Sequence, residues 1–191
     1  MQMEKPQIIR ILLLIGLIVM AAFARLLPHV PNVAPIGALA LLGGAALPLP
    51  WSIVLPGAAM LLSDSIIGFD SMPITLAVYG SFAASALMGR VLRGGWMPWR
   101  LLGTSLASSI LFYLVTNFAV WKFSGLYPST LDGLALSYFY ALPFFRNSLL
   151  GDLVYSFAIF GAWHAAGRVV FLRSRARVAI PFTQNLETHK Q

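Results

Sequence analysis

Apolar runs of membrane-spanning length alternate along this chain with short polar or proline-bearing breaks. A helix needs about 20 predominantly apolar residues to cross the hydrocarbon of a bilayer. Six segments are predicted as helices on that basis: residues 8–27, 35–48, 51–68, 73–92, 99–121 and 149–172. The second is short. Only "PLP" separates it from the third, which predicts a tight helical hairpin. A further apolar stretch at 131–145, "LDGLALSYFYALPFF", carries aromatics and a proline and is read as an interfacial or re-entrant helix. The expected architecture is an all-α polytopic membrane protein with six transmembrane helices. Residues 1–180 would form one transmembrane domain, and 181–191 a polar, disordered cytoplasmic tail.

Composition supports the membrane reading. Hydrophobic residues make up 59% of the 191 positions and charged residues only 10%, against about a quarter charged in soluble domains. The net charge of +7 does not indicate nucleic acid, because the basic residues sit in short clusters between apolar runs. They act there as an orientation signal. With the N-terminus in the cytoplasm, that side holds Lys5, Arg10, Arg90, Arg93, Arg100, Arg168, Arg173, Arg175, Arg177 and Lys190. The other side holds Arg25, Lys122 and Arg146. Ten against three predicts both termini in the cytoplasm. The first apolar run lacks a small-x-small cleavage site before its proline loop and is read as a retained helix.

This orientation turns three polar connections outward: "RLLPHVPNVAP" (25–35), "SDSIIGFDSMP" (63–73) and the long stretch from Lys122 to Ser148. Ionisable residues within spans are costly and mark sites, pathways or structural pairs. Candidate substrate-binding residues are Arg25, His29 and Asn32 from the first loop, and Asp64 at the end of the third segment. Asn117 joins them from the fifth, with Arg146, Asn147 and Asp152 around the start of the sixth. Trp121, Tyr127, Tyr138 and Tyr140 would roof the pocket. Each has an alternative reading. Asp64 would end a helix at the headgroups, Arg25 would snorkel to lipid phosphate, and Asp152 would be a first-turn acid. Asn147 would cap its helix, His29 would be a loop histidine, and the aromatics would form an interfacial belt.

Small residues offer close helix contact, which membrane helices rely on because lipid supplies no hydrophobic drive to pairing. Ala77, Ser81, Ser85 and Gly89 recur every four residues in the fourth segment, and Ala40 and Gly44 stand in the second. They are read as faces for packing within the fold or for docking a partner. With no cysteine, disulfides and thiolate chemistry are absent. His-Glu-x-x-His, Gly-x-x-x-x-Gly-Lys and Gly-x-Ser-x-Gly are absent too. No catalytic residue, resident cofactor or metal site is expected.

Two resemblances follow from particular stretches. "RLLPHVPN", "LLSD", "TNFAVW", "YPST" and "ALPFFRN" resemble a family of uncharacterised bacterial membrane proteins, over roughly residues 20 to 160, which implies a multi-pass protein of the bacterial inner membrane. The loop "PHVPNVAPIGALALLGGAAL", the short second segment and "LPGAAMLLSDSIIG" resemble the substrate-binding S components of energy-coupling factor vitamin importers. That second resemblance implies an S-component-like bundle binding a vitamin-like ligand in its outer half. It also implies docking of Ala34, Ala38 and the second-segment glycines on a transmembrane coupling subunit with separate ATPases. The expected function is therefore substrate capture for small-molecule uptake among membrane lipids. The competing expectations are a membrane enzyme acting on a lipid-linked substrate and a structural or assembly protein.

Overall fold

The computed structural model describes residues 5–27, 32–95 and 97–184, with side chains described for 16–27, 32–95 and 97–165. Among them run six α-helices: α1 (Lys5–Leu26), α2 (Ile36–Ala46), α3 (Leu49–Ile67), α4 (Met72–Gly89), α5 (Pro98–Phe123) and α6 (Leu131–Gln184). A 3-10 turn, Arg90–Leu92, extends α4. Prolines set several starts. Pro35 and Pro48 precede α2 and α3, and α3, α4 and α5 each have proline at the first or second helical position. There the missing N–H costs no hydrogen bond.

The expectation of six membrane-spanning helices is corrected by the helix lengths. Among the described residues, three helical stretches are long and apolar enough to cross a bilayer: Leu49–Ile67, Met72–Leu92 and Pro98–Phe123. α2 has 11 residues and so rises only about 16 Å, roughly half the hydrocarbon thickness. The expected division between a re-entrant 131–145 segment and a span at 149–172 does not exist. One continuous α6 of 54 residues covers both and runs through Pro143. Neighbouring helices can re-satisfy the carbonyl that a proline frees, so a proline in a packed helix is not a reliable stop. The expected S-component-like six-span bundle is thereby set aside.

What remains is a multi-pass membrane protein whose exposure pattern is inverted relative to a soluble one. Large apolar side chains such as Ile66, Met72, Leu76, Val91 and Phe139 are exposed. The buried set includes Ser52, Ser63, Ser81, Ser85, Ser105, Ser108, Ser109, Ser137 and Ser156. Contiguous exposed apolar surface on this scale belongs against lipid. The small hydroxyl residues inside allow the backbones to approach closely.

α2 lies at the centre, with every residue from Ile36 to Gly44 buried. Its first half packs Ile36 and Leu39 with Ala21 of α1 and with Leu55, Ala59 and Met60 of α3. Its second half packs Leu41 and Leu42 against Leu92, Leu101 of α5 and Phe160 of α6. Two glycines allow its closest approach to α4. A Cβ on Gly44 would overlap the Ala86 carbonyl, and one on Gly89 would overlap the Leu41 carbonyl. Beside it, Pro56 lies inside α3 and has no N–H for the Ser52 carbonyl one turn back. Gly43 leaves room for that carbonyl, since a Cβ there would stand 3.2 Å from it. Arg93 donates from Nε to the Gly44 carbonyl at 3.0 Å and from Nη2 to the Leu47 carbonyl. Orphan carbonyls at the C-terminus of α2 are thus capped by a cation, which also suits the helix dipole.

Ala38, Ala40, Gly44, Ser81, Ser85 and Gly89 are therefore interior residues, while Ala34 and Ala77 are half-buried. α6 runs antiparallel to α5. Ser137 Oγ donates to the Asn117 carbonyl at 3.0 Å, Tyr138 Oη to the Leu114 carbonyl at 2.8 Å, and Tyr113 Oη to the Tyr138 carbonyl at 2.8 Å.

Candidate functional site

A cavity of about 380 Å³ opens between α1, α3 and α4 and reaches inward to α5 and α6. Its position follows from the shortness of α2. That helix starts part-way along the bundle, and its first residues, Ile36 and Gly37, line the hollow together with Asn32 and Ala34 of the preceding loop. A bundle of long helices around a half-length one leaves a space beyond its N-terminus. The mouth lies at exposed Asn32, Gly68 and Asp70, and the deep end at buried Ser85 and Ser108. Because Gly68 and Asp70 belong to the turn between the α3 and α4 spans, the mouth is at one face of the membrane. Gly68 ends α3 with φ of 106°, a conformation that favours glycine. Asn32 has φ of 63°, which asparagine tolerates better than most residues.

The first polar cluster joins three helices. Arg25, in the last turn of α1, donates from Nη1 to Asp64 Oδ1 at 2.7 Å and to Ser63 Oγ at 2.5 Å. Ser63 directs its own proton back to its helix, with the Met60 carbonyl at 2.9 Å, and this leaves its oxygen free to accept. Tyr79 of α4 donates to the other carboxylate oxygen of Asp64 at 2.9 Å. The side chains of Arg25 and Asp64 are 22% and 11% exposed. The pair is thus mostly withdrawn from water, where an ion pair survives only with its remaining hydrogen bonds in place.

The second cluster lies deeper. Ser109 of α5 donates to Asp152 Oδ2 of α6 at 2.6 Å. Asp152 Oδ1 lies against Gly37, where a Cβ would collide with it. The carboxylate therefore sits at the first turn of α2, a helix with no acidic residue of its own there, and complements the positive end of its dipole. Ser108 donates to Ser85 Oγ at 2.7 Å, and Ser85 donates to the Ser81 carbonyl at 2.9 Å. Phe82 of α4 and Phe112 of α5 line the cavity with their ring centroids 5.0 Å apart.

Of the ten candidate binding residues, Arg25, Asn32, Asp64 and Asp152 line this cavity. His29 lies outside the described residues. Asn117, Trp121, Tyr127, Arg146 and Asn147 are not part of the lining. Asn117 turns back to donate to the Tyr113 carbonyl of its own helix at 2.8 Å. Trp121 donates from Nε1 to the Pro128 carbonyl at 2.9 Å and closes the α5–α6 turn. Tyr127 and Asn147 are half-buried and Arg146 is exposed. Tyr138 ties α6 to α5, and Tyr140 is exposed.

Sequence reasoning missed Asp70, Tyr79, Phe82, Ser108, Phe112 and Gly37 as lining residues. Asp70 was legible as a second acid in the turn after Asp64. Ser85 was legible only as a packing residue. The two phenylalanines carried no signal, because apolar aromatics are unremarkable in a span. Among the described residues, no cluster of three or more histidine, aspartate or glutamate side chains could hold a metal ion.

The fold and cavity define a helical-bundle, multi-pass membrane protein with a polar hollow entered from one membrane face. Residues 5–176 match the family of unknown function DUF6580, and the chain belongs to that family. No curated protein and no solved structure matches the chain.

Proposed function

We propose that the protein is a substrate-binding membrane subunit that captures a small, vitamin-like or micronutrient molecule for uptake. The observation that carries this reading is the cavity of about 380 Å³, which falls within the usual range for small-molecule sites. Polar groups converge on it from α1, α3, α4, α5 and α6. The reading takes up the functional side of the resemblance to S components without their six-span architecture.

Arg90, Arg93 and Arg100 cluster at the α4–α5 connection and no Lys or Arg stands in the α3–α4 turn, which favours the α4–α5 connection in the cytoplasm, and the resemblance implies a bacterial inner membrane. On that orientation the mouth, beside Arg25 and the α3–α4 turn, faces outward. With no nucleotide-binding motif in the chain, ATP-driven uptake would depend on a coupling subunit with its own ATPases. The lipid-enzyme reading is less well supported, because Asp64 is held by Arg25 and Tyr79 as a structural pair rather than poised as a base.

The test is native mass spectrometry of the full chain purified from its own membrane, beside a Thr75→Trp variant. Thr75 lines the cavity in the first turn of α4, so tryptophan there would plug the mouth. A small molecule carried by the wild type and lost from the folded variant is the expected result. Equal carriage by both would place the bound molecule elsewhere and end this reading.

A further inference from the structure

The charge of the lining restricts what the cavity can hold. This inference rests on the reading that the cavity captures a small molecule, and it names that molecule's chemical class. Arg25 is the one cation among the described lining residues, against the three carboxylates of Asp64, Asp70 and Asp152, a formal excess of two negative charges. The Arg25 charge is already taken up by Asp64 at 2.7 Å. The N-terminus of α2 beside Asp152 adds only about half a positive charge. A net negative charge inside a low-dielectric enclosure attracts cations and opposes anions more strongly than it would in water.

The rest of the wall fits the same class. Tyr79, Phe82 and Phe112 present aromatic surface next to these carboxylates, and aromatic faces stabilise ammonium-type cations through the ring quadrupole. Asp152 lines the cavity and takes one hydrogen bond, from Ser109 on Oδ2, which leaves a carboxylate with acceptor capacity to spare.

We infer that the ligand is an organic cation, a protonated or quaternary amine with an apolar body. Its apolar part rests on Phe82 and Phe112. Its charge is held by Asp152, and Asp70 draws it in at the mouth. Arg25 and Asp64 brace the wall and leave the ligand's charge to Asp152. Carboxylate and phosphate compounds are rejected by the same field.

The experiment uses the full chain in lipid nanodiscs with three probes that share a phenyl ring and differ in charge: benzyltrimethylammonium, benzyl alcohol and benzoate. Binding is read by saturation-transfer NMR and titration calorimetry. Benzyltrimethylammonium should bind saturably and about tenfold or more tighter than the other two. Asp152→Asn, which keeps the size and the bond to Ser109, should weaken it about tenfold or more. Asp70→Asn, at an exposed turn position, should weaken it by a smaller factor while melting like the wild type. Benzoate or benzyl alcohol binding as tightly as the cation, or a folded Asp152→Asn that binds the cation unchanged, overturns the cation assignment but leaves a capturing cavity. No saturable binding of any probe overturns the cation assignment as well, while the capture reading stands or falls with the Thr75→Trp comparison.

Discussion

Arg25 Nη1 stands 2.7 Å from Asp64 Oδ1, so the last turn of α1 is tied to the last turn of α3 at the wall of the cavity. Tyr79 completes the arrangement from α4. Replacing Arg25 alone strands a mostly buried carboxylate. Arg25→Met should therefore destabilise the protein by about 1–3 kcal/mol. The double variant Arg25→Met/Asp64→Leu should recover much of that loss, because an apolar pair needs no desolvated partner. Thermal unfolding in detergent reads both. A double variant as unstable as the sum of its singles would show that the two residues act independently.

The contact between α2 and α4 depends on Gly44 and Gly89. Gly44→Ala or Gly89→Ala would push a methyl group into an opposing carbonyl and should cost about 1–3 kcal/mol or more. Gly80→Ala is the control in the same helix. Nothing lies within 4 Å of its added Cβ, so it should be neutral or stabilising by up to about 1 kcal/mol through helix propensity. Equal melting shifts for all three would remove the close approach as an explanation.

The interior serines differ in what their loss would leave behind. Ser108→Ala frees Ser85, whose hydroxyl still donates to the Ser81 carbonyl, and should cost about 0.5–1 kcal/mol. Ser109→Ala deprives the Asp152 carboxylate of its hydrogen bond and should cost about 1–3 kcal/mol. Ser109→Ala should thus melt at the lower temperature of the two. The reverse order would mean that Asp152 does not depend on Ser109.

Asn117 and Trp121 look like binding residues on the linear chain, but the Asn117 side chain turns back onto α5 and Trp121 closes the α5–α6 turn. Asn117→Leu and Trp121→Phe should leave ligand capture unchanged. Trp121→Phe should cost about 1 kcal/mol of stability by losing the bond to the Pro128 carbonyl. Calorimetry and unfolding on the same samples separate the two effects. A folded Asn117→Leu that lost its ligand would move the site towards α5.

Orientation is accessible through single cysteines, because the chain has none of its own. Both Asp70 and Trp99 are exposed. Asp70→Cys should react with an impermeant maleimide added to intact cells, and Trp99→Cys only after the cells are opened. The opposite pattern would put the cavity mouth in the cytoplasm.

The sequence by itself determined that this chain is helical and lives in a membrane. Apolar runs near 20 residues, sparse charge and clustered Lys and Arg reflect the thickness and dielectric of the bilayer, which act on each segment locally. That Arg25, Asn32, Asp64 and Asp152, which line the cavity, stand out was legible for the same reason, since a charged or amide group beside a greasy segment is costly wherever it sits. The spacing of Gly44 and Gly89 also marked a packing face.

The tertiary structure alone decided which of these residues meet and where each helix begins and ends. Hydropathy could not show that α6 continues through Pro143, because a membrane helix can accommodate a proline without ending there. It marked the second segment as short, but it could not show that α2 lies at the centre and leaves beyond its N-terminus a hollow whose wall recruits Tyr79, Phe82 and Phe112. Asn117 lies outside the lining, and its donor turns back to a carbonyl on its own helix, a choice made by rotamer and packing. Segment character is set by contact with lipid, but a cavity is set by the lengths and registers of helices relative to one another.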